Sequence, residues 1–170
     1  MLGLPMDNKE SYLQSLDYVI NIMKTGNHFL GLYQTKLLIG TKLNEIKDHF
    51  NMKIQDNDLM RNVYKTSTMP RNDMIECLKF NTLAYRIMGV KEIDKTQNKL
   101  KEIFFKIKGS NIDKLYKIGK QLFEYKYYLR MFKCDYPNAE NYYLKEIFDD
   151  VSDDDMIKIM NEVIDNDSNM

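Results

Sequence analysis

The strongest helical pattern in the chain lies in residues 91–133, which read KEIDKTQNKLKEIFFKIKGSNIDKLYKIGKQLFEYKYYLRMFK. Apolar residues recur there at spacings of three and four, at Ile93, Leu100, Ile103, Phe104 and Ile107, and then at Ile112, Leu115, Tyr116, Leu122 and Phe123. This spacing predicts two amphipathic helices, each with one buried face. Gly109 is expected to end the first helix, and Ser110 with Asp113 to cap the second. We therefore expect a helical hairpin with antiparallel arms.

The rest of the chain repeats this helical pattern. Seven Gly and three Pro in 170 residues leave few places to break a helix, and strand-type alternation does not recur. Further helices are predicted from about Asp7, over 29–50, over 56–65, from Pro70 to Gly89, over 138–148 and after Ser152. A chain of this length suits one sizeable core. The predicted fold class is all-α, a compact single-domain bundle of about six to eight amphipathic helices with essentially no sheet.

The net charge of zero conceals two oppositely charged parts. Residues 149–170 contain eight Asp or Glu and one Lys, so residues 1–148 contain the other 24 Lys or Arg and 17 acids. We therefore distinguish a helical domain, 1–148, with its basic hairpin at 91–133, from an acidic C-terminal helix and tail, 149–170. An apolar stripe is expected to dock that last helix, at Met156, Ile159, Met160 and Val163. The acidic segment is predicted to meet the basic hairpin and regulate access to it, the alternative being a solubilising helix.

Residues with catalytic or metal-binding potential do not form a known pattern. His28 and His49 are 21 residues apart, and Cys77 and Cys134 belong to no CxxC pair. The acidic run at 149–155 lacks the central Gly and the terminal Glu of a calcium loop. Phosphate-binding glycine motifs are also missing from the sequence. We expect no enzyme activity, no catalytic residues, no metal and no cofactor.

Composition also bears on location and source. The N-terminus meets charge too early for a signal peptide, and no apolar run approaches the roughly 20 residues of a membrane span. We expect an intracellular, cytoplasmic protein with no membrane contact, in which both cysteines are core thiols. The abundance of Lys, Asn, Ile, Tyr and Asp is typical of an AT-rich genome, such as that of a phage, a large DNA virus or a low-GC bacterium.

Binding to another protein is the function that these observations favour. Twelve Met and twelve Tyr suit an adaptable interface. Four aromatic residues within 123–128 cannot all face inward on one helix, so some of them are expected to contact a partner. The alternative interpretation is that these aromatic residues pack in the core. Partner contacts are predicted at Phe123, Tyr125, Tyr127, Tyr128 and Arg130. We expect a regulatory or host-directed protein of a virus, phage or mobile element. The sequence is also compatible with a homo-oligomer.

Nucleic-acid binding is the alternative function. A helix-turn-helix unit near 56–90 fits two registers, one with its turn at Thr66–Pro70 and one with its turn at Asn81. DNA- or RNA-contacting residues are then predicted at Arg71, Asn72, Lys79, Lys91, Lys95, Lys99, Lys114 and Lys117, because lysine stripes suit phosphate. The simpler interpretation is that these lysines solvate helix surfaces.

Overall fold

The computed structural model describes residues 1–24, 33–54, 61–88, 95–124 and 151–168. Within those ranges the helices are α1 (Lys9–Met23), α2 (Lys42–Glu45), α3 (Arg71–Met88), α4 (Lys95–Lys106), α5 (Asn111–Glu124) and α6 (Asp153–Ser168). Two short strands, β1 (Lys53–Ile54) and β2 (Val63–Lys65), form an antiparallel pair. The described residues are therefore mostly helical, as predicted, and the one small sheet among them was not expected. None of the described helices is long and apolar enough to cross a membrane.

The chain divides into two compact units. Unit 1 comprises Met1–Ser15 and Leu32–Asn81, and unit 2 comprises Leu16–Gly31 and Thr82–Met170. Helices α1 and α3 each contribute residues to both units. The predicted boundary between residues 148 and 149 lies inside unit 2, because α6 packs against α4 and α5 of that unit.

Extended segments far apart in sequence are joined in unit 1. Leu2 forms a parallel bridge with Gln34, and Lys36 forms an antiparallel bridge with Asn62. The amide of Leu2 donates to the carbonyl of Tyr33 at 2.8 Å, and the amide of Thr35 donates back to the carbonyl of Leu2 at 2.8 Å. These backbone bonds hold segments that local periodicity treats as independent.

Two predicted helices of unit 1 are consequently wrong in the described residues. The helix expected over 29–50 is reduced to the four residues of α2, and residues 33–37 are extended instead. The helix expected over 56–65 is replaced at its end by β2, while 55–60 lie outside the described residues. In both cases pairing with a distant segment overrides a local apolar pattern, which is a known weakness of propensity arguments.

The core of unit 1 is a single apolar cluster between these strands and the helices. It consists of Leu2, Tyr12, Leu37, Met52, Val63, Met69, Met74 and Cys77. Burial raises the pKa of the Cys77 thiol to about 12, in keeping with the predicted core thiol. The Tyr12 hydroxyl donates to Asn81 Oδ1 at 2.6 Å inside this cluster, and so joins α1 to α3.

The caps predicted between the two central helices are confirmed in unit 2. Gly109 has φ +109°, a conformation that favours glycine, and it follows the end of α4. Ser110 Oγ accepts from the amide of Asp113 at 3.2 Å, and the amide of Ser110 donates to Asp113 Oδ2 at 3.2 Å. The Ser110 hydroxyl also donates to Asp113 Oδ2 at 2.6 Å, and this bond, together with the one from the Ser110 amide, lowers the pKa of the Asp113 carboxyl. The reciprocal pair starts α5 where the sequence places it.

Helix α6 completes unit 2 by packing on both α4 and α5. Its buried residues are the predicted stripe, Met156, Ile159, Met160 and Val163. Ser152 caps it, because Ser152 Oγ accepts from the amide of Asp155 at 3.1 Å. The two arms of the predicted hairpin therefore share a third helix, which covers them both.

Replacement of Tyr12 by Phe tests the buried bond to Asn81. We expect Tyr12→Phe to lower the free energy of unfolding by about 1–3 kcal/mol, because Asn81 Oδ1 stays buried without this donor. Tyr18→Phe is the matched control, since Tyr18 lies on the same helix and is 67% exposed. Urea denaturation followed by circular dichroism measures both variants. Equal stability losses in the two variants would contradict the assignment.

Candidate functional site

A tight turn in unit 1 presents two aliphatic side chains to solvent. The Leu38 turn, defined as residues 38–41, is closed by the amide of Thr41, which donates to the carbonyl of Leu38 at 3.2 Å. Thr41 Oγ1 donates to the same carbonyl at 2.7 Å. Gly40 has φ +81°, which suits the third position of a type II turn.

The exposure of this turn is unusual for its residue types. Leu38 is 55% exposed and Ile39 is 80% exposed, although Leu37 directly before them is fully buried in the core of unit 1. Single exposed apolar residues are ordinary in proteins, but two adjacent aliphatic residues at the tip of a turn form a small apolar projection. Folding of unit 1 gains little from these two side chains.

Neighbouring residues hold the Leu38 turn in place on both sides. The amide of Leu37 donates to the carbonyl of Arg61 at 3.0 Å, and Arg61 Nε donates back to the carbonyl of Leu37 at 2.5 Å. Arg61 Nη2 also donates to Asn44 Oδ1 at 3.0 Å, which ties the turn to α2. Thr41 caps that helix by accepting from the amide of Asn44. Hydrogen bonds therefore hold the Leu38 turn at both of its ends.

Neither register of the predicted helix-turn-helix is present in the described residues. In the first register the leading helix is replaced by β2 at its C-terminal end. In the second register the turn was expected at Asn81, but α3 runs without interruption through this position. Asn81 is buried there and bonds Tyr12, so the chain gains a core contact by continuing the helix.

The nucleic-acid residues predicted on α3 have mixed environments. Arg71 and Asn72 are exposed in the first turn of the helix, whereas Lys79 is only partly exposed. Burial lowers the pKa of Lys79. The structure therefore places two of these three side chains together at the start of α3.

The predicted lysine stripe is not a continuous surface. Lys99 is exposed, and Lys91 and the side chain of Lys95 lie outside the described residues. Lys114 is only 8% exposed, so the prediction of a solvent-facing lysine is wrong there. Its Nζ lies 5.3 Å from the centroid of the Phe104 ring and 5.4 Å from that of the Phe105 ring. The aliphatic part of the Lys114 side chain is buried, and its ammonium group lies close to the two aromatic rings.

The charge of Lys114 is disfavoured by its surroundings. Burial is the main cause that lowers its pKa, and the positive charge of Lys24 lowers it further, while Asp17 acts in the opposite direction. Phosphate binding requires an accessible ammonium group, which this residue does not supply.

Lys117 contacts the acidic segment. Its Nζ lies 2.7 Å and 2.8 Å from the two carboxylate oxygens of Asp167 on α6. Next to it, Gln121 donates to Glu162 Oε2 at 3.0 Å. The predicted contact between the acidic segment and the basic hairpin is therefore confirmed at Lys117.

A second cation at the other end of α6 was missed by sequence reasoning. The buried guanidinium of Arg86 on α3 donates to Asp153 and, at 3.3 Å, to the carbonyl of Val151. The sequence could have indicated this residue, because Arg86 lies between Leu83 and Ile87, which are buried residues of α3. This position places a cation on an apolar helix face. A buried cation in such a position needs an acidic partner.

The residues predicted to contact a protein partner are not tested. Tyr125, Tyr127, Tyr128, Arg130 and the side chain of Phe123 lie outside the described residues. Among the residues that the structure describes, no three His, Cys, Asp or Glu side chains are grouped to hold a metal ion. The Leu38 turn, which the sequence pattern predicted to be helical, lies within the described residues and exposes two aliphatic side chains.

Comparison of the chain with models of protein families, with curated proteins and with solved structures found no match.

The ion pair at the start of α6 is tested by two neighbouring acids. We expect Asp153→Asn to lower the free energy of unfolding by about 2–4 kcal/mol, because Arg86 stays buried without its carboxylate. Asp154→Asn removes an equal charge from the same helical turn, but Asp154 is exposed, so its effect should stay within about 0.5 kcal/mol. Chemical denaturation at low salt measures both. Similar losses would mean that only the helix dipole is involved.

The buried charge of Lys114 predicts a pH-dependent difference in stability. Burial of the charged ammonium group lowers the stability of the folded protein. This loss of stability is present in full below the lowered folded-state pKa of Lys114, and it fades as pH rises toward the ordinary value of 10.5, because the folded protein loses the proton first. We expect Lys114→Met to be more stable than the wild type at pH 7, with the gap narrowing toward pH 10. Lys120→Met, which changes an exposed lysine on the same helix, should show no such trend. Thermal unfolding from pH 7 to pH 10 gives the comparison.

Proposed function

We propose that the protein acts without catalysis, by binding another protein through the Leu38 turn. The exposure of Leu38 and Ile39 on an ordered turn is the observation that carries this proposal. Covering two such side chains contributes on the order of 1.5–3 kcal/mol for each one that becomes fully buried. A convex apolar tip of this kind fits a concave apolar pocket on a partner.

The structure of the turn also supports a specific contact. Arg61 and Thr41 fix the backbone on both sides of the exposed pair, so a partner meets one conformation. An ordered anchor loses little conformational freedom on binding, and therefore retains more of its burial energy as affinity. On the basis of its composition, we also propose that the protein is a regulatory or host-directed protein of a virus, phage or mobile element.

Nucleic-acid binding is the alternative proposal, and fewer observations support it. Its helix-turn-helix is not present in the described residues, Lys114 is buried, and Lys117 is paired with Asp167. Lys99, Arg71 and Asn72 are the predicted contacts that remain exposed within the described residues. The protein-binding proposal depends on none of these three residues.

A substitution at the tip of the turn tests the proposal. We expect Ile39→Asp to weaken binding of the partner by about 10- to 100-fold, which corresponds to the loss of one buried aliphatic side chain. Stability should be unchanged, because Ile39 is 80% exposed in the unbound protein. Tyr18→Asp is the control, since it places the same charge at another exposed, apolar position of the chain.

The measurement has two stages. First, an extract of the source cells is treated with nuclease, and we compare the proteins that the wild type, Ile39→Asp and Tyr18→Asp capture from it. The affinity of a candidate partner is then measured by calorimetry with purified components. A partner lost by Ile39→Asp and kept by Tyr18→Asp supports the proposal. Equal affinity for all three proteins would rule out the Leu38 turn as the binding site, and loss of every partner on nuclease treatment would favour nucleic acid.

A further inference from the structure

Helix α6 covers an apolar surface built by two other helices of unit 2. α4 buries Leu100, Ile103, Phe104 and Ile107, and α5 buries Leu115, Ile118 and Leu122. α6 packs against both helices and buries its own stripe of four apolar residues. A surface of this kind, filled by one amphipathic helix, has the geometry of a helix-in-groove interaction. We call the surface of α4 and α5 beneath α6 the α6 groove.

Charged residues mark the two ends of the α6 groove. Arg86 binds Asp153 at the first residue of α6, and Lys117 binds Asp167 near its last residue. Asp167 follows Asp153 by fourteen positions of α-helix, a distance of about 21 Å along the axis. The groove is therefore matched by a helix of this length that has apolar residues on one face and a carboxylate at each end, as α6 has.

The acids at the end of α6 are better explained by recognition than by helix stability. Its last turn carries Asp165 and Asp167 and no basic residue. Negative charge near a helix C-terminus opposes the helix dipole and destabilises the helix itself. Asp167 offsets this cost by its contact with Lys117, whose side chain is still 35% exposed. The Asp167 side chain itself is only 8% exposed, so this contact fixes the C-terminal end of α6 at Lys117.

We propose that the α6 groove is a docking site for an acidic amphipathic helix of a partner protein, and that α6 fills it in the unbound chain. The partner helix carries apolar residues at spacings of three and four and a carboxylate at each end, as α6 does. It competes with α6, which has the advantage of being part of the same chain. The site lies in unit 2 and does not depend on the Leu38 turn, so either proposal can fail without the other.

The test uses a fluorescently labelled peptide of residues 151–168 as the probe and the full-length chain as the receptor. In the receptor, the pair of substitutions Asp153→Lys and Asp167→Lys reverses the two charges that contact Arg86 and Lys117. We expect the peptide to bind this variant at least tenfold more tightly than the wild type, measured by fluorescence anisotropy. The same two reversals made in the peptide should abolish that gain, because they remove its contacts with both cations.

A matched control separates recognition from net charge. The substitutions Asp154→Lys and Asp165→Lys change the charge of α6 by an equal amount at exposed positions. We expect peptide binding to this control to equal binding to the wild type. Tighter binding to the control as well would show that the peptide responds only to overall charge, and would overturn the proposal.

Two further measurements keep the outcome clear. Circular dichroism establishes that each receptor is folded, and Asp167→Lys alone, which keeps the Arg86 contact, replaces the double variant if that variant unfolds. We expect this single variant to bind the peptide at least threefold more tightly than the wild type. No gain in a folded variant overturns the proposal. Concentration-dependent dimers of the wild type, detected by sedimentation without peptide, also overturn it, because the occupant would then be α6 of a second copy.

Discussion

Burial of one apolar helix face against two others is the interaction on which unit 2 depends. α6 contributes four side chains to this contact, and each is almost completely removed from water. At about 1.5–3 kcal/mol for each fully buried aliphatic side chain, the four together contribute more to stability than either ion pair at the ends of α6. The charged residues at the ends of α6 therefore select its position and register, while apolar packing holds it there.

Non-local backbone hydrogen bonds have the corresponding role in unit 1. The segment at Leu2 is bonded to residues 33–35, and the next extended segment, 61–65, is bonded to residues 35–37. These bonds place Leu2, Leu37 and Val63 in one apolar cluster with the helices. The Leu38 turn follows directly from this arrangement, because Leu37 is the last buried residue before the chain reverses. Leu38 and Ile39 are therefore exposed because Leu37, directly before them, is held in the core of unit 1.

The separation of charge along the sequence is used partly inside the molecule. Lys117 pairs with the acidic C-terminal helix, and Lys114 lies against aromatic rings, so neither is presented as a free phosphate contact. The acidic segment is likewise more than a solubilising tail, because Asp153 compensates a buried arginine. The binding surfaces that we propose are accordingly apolar, at the Leu38 turn and in the α6 groove.

Local sequence was sufficient to predict features that depend on neighbouring residues. Helical spacing predicted α1, α3, α4, α5 and α6, and the Ser110–Asp113 pair and Gly109 predicted the junction of α4 and α5, because caps and stripes act within a few residues. Tertiary structure alone decided the extended segments of unit 1, the continuity of α3 through Asn81 and the burial of Lys114. Each of these depends on a partner distant in sequence, such as Tyr12 for Asn81 or Phe104 for Lys114, whose position local periodicity does not encode.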